Sequence, residues 1–249
     1  MIVANWKMNP QSSREAREIF KVIKRKSLKS KLEIAICPPI LYLETLEKLN
    51  KNKKILLGAQ DFFQIEKGSW TGKVSFKMLK NSGVDLSLLG HSELISLGET
   101  NMEINSKLKT VLKNKSRAVL CIGENKRDTE GLYFSILEKQ LNERLAGIGP
   151  RFIEKVTIAY EPLWAIGEKA KKVVKVEELL QISIFIRKIL ADKYGAKKMS
   201  RIKILYGGSV NPRNAQALIE GGSIDGFLLG RASLKSEDFI RIMGIVEAS

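Results

Sequence analysis

Polar residues that directly follow short apolar runs are the ones in this chain whose types could do chemistry together. They are Asn5, Lys7 and Asn9, then His91, Ser92 and Glu93, then Glu161, then Gly207, Gly208 and Ser209, and finally Gly230 and Arg231. A carboxylate can abstract a proton, and an imidazole and an ammonium beside it can stabilise the charge that develops. Gly-rich turns that enter helices expose backbone N–H groups able to hold a phosphate. Proton transfer next to a carbonyl is the chemistry such a set could perform. Each residue also has a plainer reading: a lone Glu is usually solvated, a lone His usually structural, and Lys7 is one of 43 basic residues. Cys37 and Cys121 lie far apart, with no CxxC spacing and one histidine in the chain. They read as small core residues in a reducing compartment, neither a zinc site nor a disulfide framework.

These residues act together only if the elements before them bring their ends to one place. Val-, Ile- and Leu-rich runs occur at Ile2–Ala4, Ile34–Cys37, Ile55–Leu57, Asp85–Leu89, Ala118–Ile122, Val156–Ala159, Ile202–Leu205 and Gly226–Leu229. Their starts are roughly 20 to 45 residues apart, room for a helix between consecutive strands and hence for a parallel sheet. The helices expected between them are Ser13–Lys26, Leu41–Lys51, Ser75–Asn81, Glu103–Lys113, Leu132–Leu145, Val176–Lys193, Pro212–Glu220 and Ser236–Val246. Helical spacing is clearest in Leu179, Ile182, Ile184, Ile186 and Ile189. Eight βα units in 249 residues fit an α/β fold of the (β/α)8 barrel type, whose active sites form at the carboxyl ends of the strands. An open doubly wound sheet is the alternative, although no GxGxxG follows a strand. No linker or low-complexity tract divides the chain, so residues 1–249 read as one domain.

Composition describes a globular chain, 44% hydrophobic and 28% charged. The abnormal number is the net charge of +16, which favours anions of every kind. The basic runs Lys21 to Lys31, Lys51 to Lys54 and Lys169 to Lys175 are scattered, with few aromatics among them, and read as solvated helix faces. No nucleic-acid partner is expected. No apolar run reaches the roughly 18 residues of a membrane span, and the start lacks a basic, then hydrophobic, leader. A cytoplasmic protein without a membrane partner is expected.

Five segments then carry a family resemblance: Asn5-Trp6-Lys7-Met8-Asn9, Gly90-His91-Ser92-Glu93, Ala159 to Gly167 (AYEPLWAIG), Tyr206-Gly207-Gly208-Ser209-Val210, and Asp225 to Gly230 (DGFLLG). In that order they resemble triosephosphate isomerases, and the likeness covers essentially the whole chain. The resemblance implies a (β/α)8 barrel that interconverts dihydroxyacetone phosphate and D-glyceraldehyde 3-phosphate through an enediol(ate), in glycolysis and gluconeogenesis. It implies that Glu161 moves the carbon-bound proton and that His91, as a neutral imidazole, polarises the carbonyl. Lys7 would stabilise the enediolate, and Asn5 would position Lys7 or donate to the same oxygen. It implies a phosphate site at Gly167, Ser209, Gly230 and Arg231, with no cofactor and no metal. It also implies a homodimer whose loop at about Gln64–Lys73 reaches into the partner.

The chain departs from the family pattern at three places. Arg231 stands where most members have Gly. The lid continues Gly167 with Glu168-Lys169-Ala170-Lys171-Lys172 in place of Thr-Gly-Lys-Thr-Ala, which predicts looser closure. Lys73 replaces an acidic residue and Leu94-Ile95 replace an Arg pair, which predicts an interface held by apolar packing more than by an ion pair.

Overall fold

The computed structural model describes residues 1–165 and 174–249. The strands are β1 (Ile2–Asn5), β2 (Ile34–Cys37), β3 (Leu56–Ala59), β4 (Leu86–Leu89), β5 (Arg117–Ile122), β6 (Val156–Tyr160), β7 (Ile204–Tyr206) and β8 (Phe227–Leu229). They pair in parallel and in chain order into a closed barrel. Closure rests on β1, in which Ile2 is in register with Ile34 of β2 on one side and Phe227 of β8 on the other. The sheet is therefore a barrel, and the open alternative is excluded.

Strand side chains alternate between two faces, and this sequence makes both faces apolar. Val3, Ala35, Leu86, Leu88, Val119, Cys121, Ala159, Leu205 and Leu228 fill the barrel interior. Ile2, Ala4, Ile34, Ile36, Leu89, Leu120, Ile158 and Phe227 pack outward against the helices. Carrying the inward alternation one step past each strand reaches Asn5 from Val3, Gly123 from Cys121, Glu161 from Ala159, Gly207 from Leu205 and Gly230 from Leu228. The inward-facing layer at the carboxyl mouth is thus polar or lacks a side chain, directly above a packed core.

The helices are α1 (Ser13–Ser27), α2 (Leu43–Leu49), α3 (Phe76–Asn81), α4 (Ser92–Ser96), α5 (Asn101–Lys113), α6 (Leu132–Arg144), α7 (Val176–Tyr194), α8 (Ala196–Met199), α9 (Ala215–Gly221) and α10 (Ser236–Ala248). Capping sets several of their starts. The Ser12 side chain accepts from the Glu15 N–H at α1, and Thr100 with Glu103 forms a capping box at α5. Two expectations are corrected. The helix after β7 begins at Ala215, not Pro212, because the side chains of Asn214 and Asn211 accept from the N–H groups of Asn211 and Arg213 and hold a turn there. In α7 the buried stripe is Leu179, Ile182, Ile186 and Ile189, spaced three and four apart, while Ile184 falls off that face and is exposed. Both cysteines are free and buried.

Candidate active site

The barrel brings Asn5, Lys7, His91, Glu161, Ser209, Gly230 and Arg231 to one cleft of about 530 Å³ at the carboxyl mouth. Gly167 and the lid residues Glu168–Lys172 lie outside the described residues.

Glu161 follows β6 and is 3% exposed. Its backbone is fastened to the adjoining strand exits: its N–H donates to the Ile122 carbonyl at 2.8 Å, and Gly207 N–H donates to the Tyr160 carbonyl at 2.8 Å. Two glycines make this approach possible. A Cβ on Gly123 would lie 1.8 Å from the Glu161 carbonyl oxygen, and one on Gly207 would lie 2.7 Å from Glu161 Cγ. The carboxylate Oε1 stands 3.3 Å from His91 Nε2, while Oε2 is buried without a hydrogen-bond partner. A buried acceptor left unpaired is unusual and costly, and Glu161 lines the cleft.

His91 caps α4. The backbone N–H of Glu93 donates to His91 Nδ1 at 3.2 Å, so Nδ1 is an acceptor and the ring proton sits on Nε2, the nitrogen facing Glu161. The short helix α4 starts at Ser92, directly after His91.

Lys7 takes a positive φ of 54°, a strained conformation for a lysine. Asn5 Oδ1 accepts the Lys7 N–H at 3.1 Å, and Gln60 Nε2 donates to the Lys7 carbonyl at 2.8 Å. The ammonium donates to Glu93 Oε1 at 2.6 Å. Asn5 therefore holds the Lys7 backbone.

At the exit of β8, Gly230 approaches Lys7 closely enough that a Cβ there would meet Lys7 Cε at 3.7 Å. Arg231 opens a single turn of 3-10 helix, Arg231–Ser233, and is exposed on the cleft wall. Ser209 Oγ donates to the Ala165 carbonyl at 3.2 Å. The turn at Ser209 does not lead straight into a helix as expected, since α9 starts at Ala215.

These observations decide the family. A model of the triosephosphate isomerase family matches residues 1–246. This chain belongs to the triosephosphate isomerase family. The triosephosphate isomerase of Lawsonia intracellularis is 38% identical over 98% of this chain and 96% of its own length. Those of Alkaliphilus oremlandii and Thermoanaerobacter pseudethanolicus are 36% and 37% identical over 98% of each chain.

Sequence reasoning assigned no role to several neighbours in this isomerase cleft. Cys121 lies with its thiol against the Glu161 carboxylate, and burial, followed by that charge, pushes the thiol well up. Glu93 holds the Lys7 ammonium. Glu124, fully buried, accepts from Tyr160 OH and Trp164 Nε1, each at 2.8 Å, and so ties the segment after Glu161 to the exit of β5. Among the described residues no group of three or more His, Cys, Asp and Glu could hold a metal ion.

Proposed function

We propose that this chain, an isomerase by its family, interconverts dihydroxyacetone phosphate and D-glyceraldehyde 3-phosphate with Glu161 as its base. The carboxylate takes the carbon-bound proton, and the C–H pair becomes the C=C bond of an enediolate whose charge lies on the former carbonyl oxygen. His91 Nε2–H donates to that oxygen and moves protons between the two oxygens. Lys7 opposes the charge, and Glu161 returns its proton to the neighbouring carbon. The observation that carries this reading is the pairing of a buried, partly unsatisfied carboxylate with a histidine whose proton faces it. Gly167, Ser209, Gly230 and Arg231 would hold the phosphate through backbone N–H groups, aided by the Ser209 hydroxyl.

The reading takes residues 1–249 as one catalytic domain acting in glycolysis and gluconeogenesis in the cytoplasm. It uses no cofactor, metal, nucleic acid or membrane. Among the described residues no helix is long and apolar enough to cross a membrane.

The reading also includes a homodimer, with Thr71 near the partner's Asn9 and the partner's Glu93. Its support is a second cavity of about 590 Å³ lined by Phe63, Lys73, Leu94 and Leu97. Met8 and Leu97 nearby are 83% and 84% exposed, an arrangement that a partner's loop would cover. Leu94 faces this cavity, whereas Ile95 packs against the core.

The test is a coupled assay of glyceraldehyde 3-phosphate isomerisation with chelator present. Glu161→Gln is expected to lower kcat by at least ~10³-fold, the range for a positioned proton-transfer group. A variant retaining a tenth of the parent kcat would exclude Glu161 as the base.

A further inference from the structure

Arg144, the last residue of α6, is 2% exposed. An arginine this deep is rare unless its donors are satisfied and its charge opposed. Its Nε donates to Asn101 Oδ1 at 2.7 Å, and its Nη1 donates to the Cys121 carbonyl in β5. The same Nη1 lies against Gly90, where an added Cβ would sit 3.0 Å from it. Gly90 has φ +69° and immediately precedes His91, and the thiol of Cys121 rests against Glu161. The guanidinium therefore touches the backbone beneath both members of the proton-transfer pair.

The helix that carries Arg144 is itself fixed. One turn earlier, Gln140 clamps Gly123, accepting from its N–H at 2.9 Å and donating to its carbonyl at 2.8 Å. Asn105 of α5 donates to the Arg144 carbonyl at 2.7 Å and to the Ala146 carbonyl at 2.9 Å. Glu99, Glu143 and Glu161 all act electrostatically on the guanidinium, whose pKa burial lowers to about 10. It remains a cation at neutral pH.

We propose that Arg144 is a positioning residue for the isomerase reaction: its buried guanidinium sets the ends of β4 and β5, and hence His91 and Glu161. The inference rests on the assignment of Glu161 and His91 above. The charged and titratable groups around Glu161 are His91 from the β4 exit, Cys121 from β5, Arg144 from α6, and Lys7, Glu93 and Arg231 around the cleft. Around Arg144 they are Glu99, Glu143 and, beyond Glu99, Lys107 and Asp61. Of the cations near Glu161, Arg144 is the one placed behind the strands, where a substrate's phosphate does not reach.

Three variants separate geometry from charge, each checked for fold by circular dichroism. Arg144→Met removes both, so kcat should fall ~10-fold or more with KM within about twofold. Arg144→Lys keeps the charge but not the fork that reaches Asn101 and Cys121, so kcat should fall with KM again nearly unchanged. Asn101→Ala loosens the guanidinium and should give a smaller fall of the same kind. If Arg144→Met does not fold, the Lys and Ala variants alone decide. A folded Arg144→Met with parental kcat would overturn the proposal, as would Lys and Ala variants with parental kcat. A parent chain without isomerase activity would instead overturn the assignment of Glu161 and His91, so the two failures are distinguishable.

Discussion

Replacing Gly207 by alanine probes how closely the position of the Glu161 carboxylate controls turnover. The added methyl would stand 2.7 Å from Glu161 Cγ and 3.3 Å from Oε1, whereas carbon atoms rest at about 3.5 to 4.0 Å. About 1 Å of movement is needed. Gly207 cannot easily supply it, because its N–H is bonded to the Tyr160 carbonyl at 2.8 Å. The Glu161 backbone is held by Ile122 and crowded by Gly123, so the side chain must shift. A displacement of ~1 Å at a reacting group can lower the rate ~10²-fold, equivalent to about 2.7 kcal/mol of barrier. Gly207 is not among the glycines with positive φ, so alanine brings no backbone strain and the effect is steric. The expected result is a kcat ~10²-fold below the parent with KM nearly unchanged, measured by the coupled assay alongside thermal unfolding. Gly149→Ala, with nothing within 4 Å of the new Cβ, serves as the control. A Gly207→Ala variant of parental stability whose kcat stays within about threefold of the parent would refute the reasoning.

Two other predictions concern stability and assembly. Glu33 joins Arg117 to Lys203, the latter at 2.6 Å; burial opposes its charge, but these two cations outweigh it and hold its pKa below the usual value. A depressed carboxylate stabilises the fold above its unfolded-state pKa and loses that contribution as pH falls through its folded-state pKa. Glu33→Gln should therefore lower Tm at pH 7 by roughly 2 to 4 °C, for about 1 kcal/mol at a partly exposed site, and the gap to the parent should close as pH falls below the usual carboxylate range. A gap independent of pH would show that the charge is not responsible. For the proposed dimer, apolar packing at Leu94 predicts a Kd within about threefold between ~0.1 and ~1 M NaCl by sedimentation. Leu94→Arg should weaken it while Lys73 is present; a tighter dimer in that variant would contradict an apolar contact.

The sequence determined what depends on neighbours along the chain. Apolar runs such as Ile34–Cys37 and Ala118–Ile122 become strands because both faces can be buried. Ser12 and Thr100 start helices because their side chains satisfy N–H groups three residues on. Lys7, His91 and Glu161 were legible as candidates because each lies within two residues of a strand end inside a short motif. Other features rest on residues distant in sequence, and only the tertiary structure decided them. Closure through Ile2 and Phe227 is one, since periodicity is the same in an open sheet. Cys121 meets Glu161, Glu93 holds Lys7, and Arg144 reaches Gly90 across separate βα units. Such contacts depend on strand register and on the level at which each helix stacks against the barrel. Spacing along the chain encodes which face a residue occupies; which residue it meets there follows from how the faces close on one another.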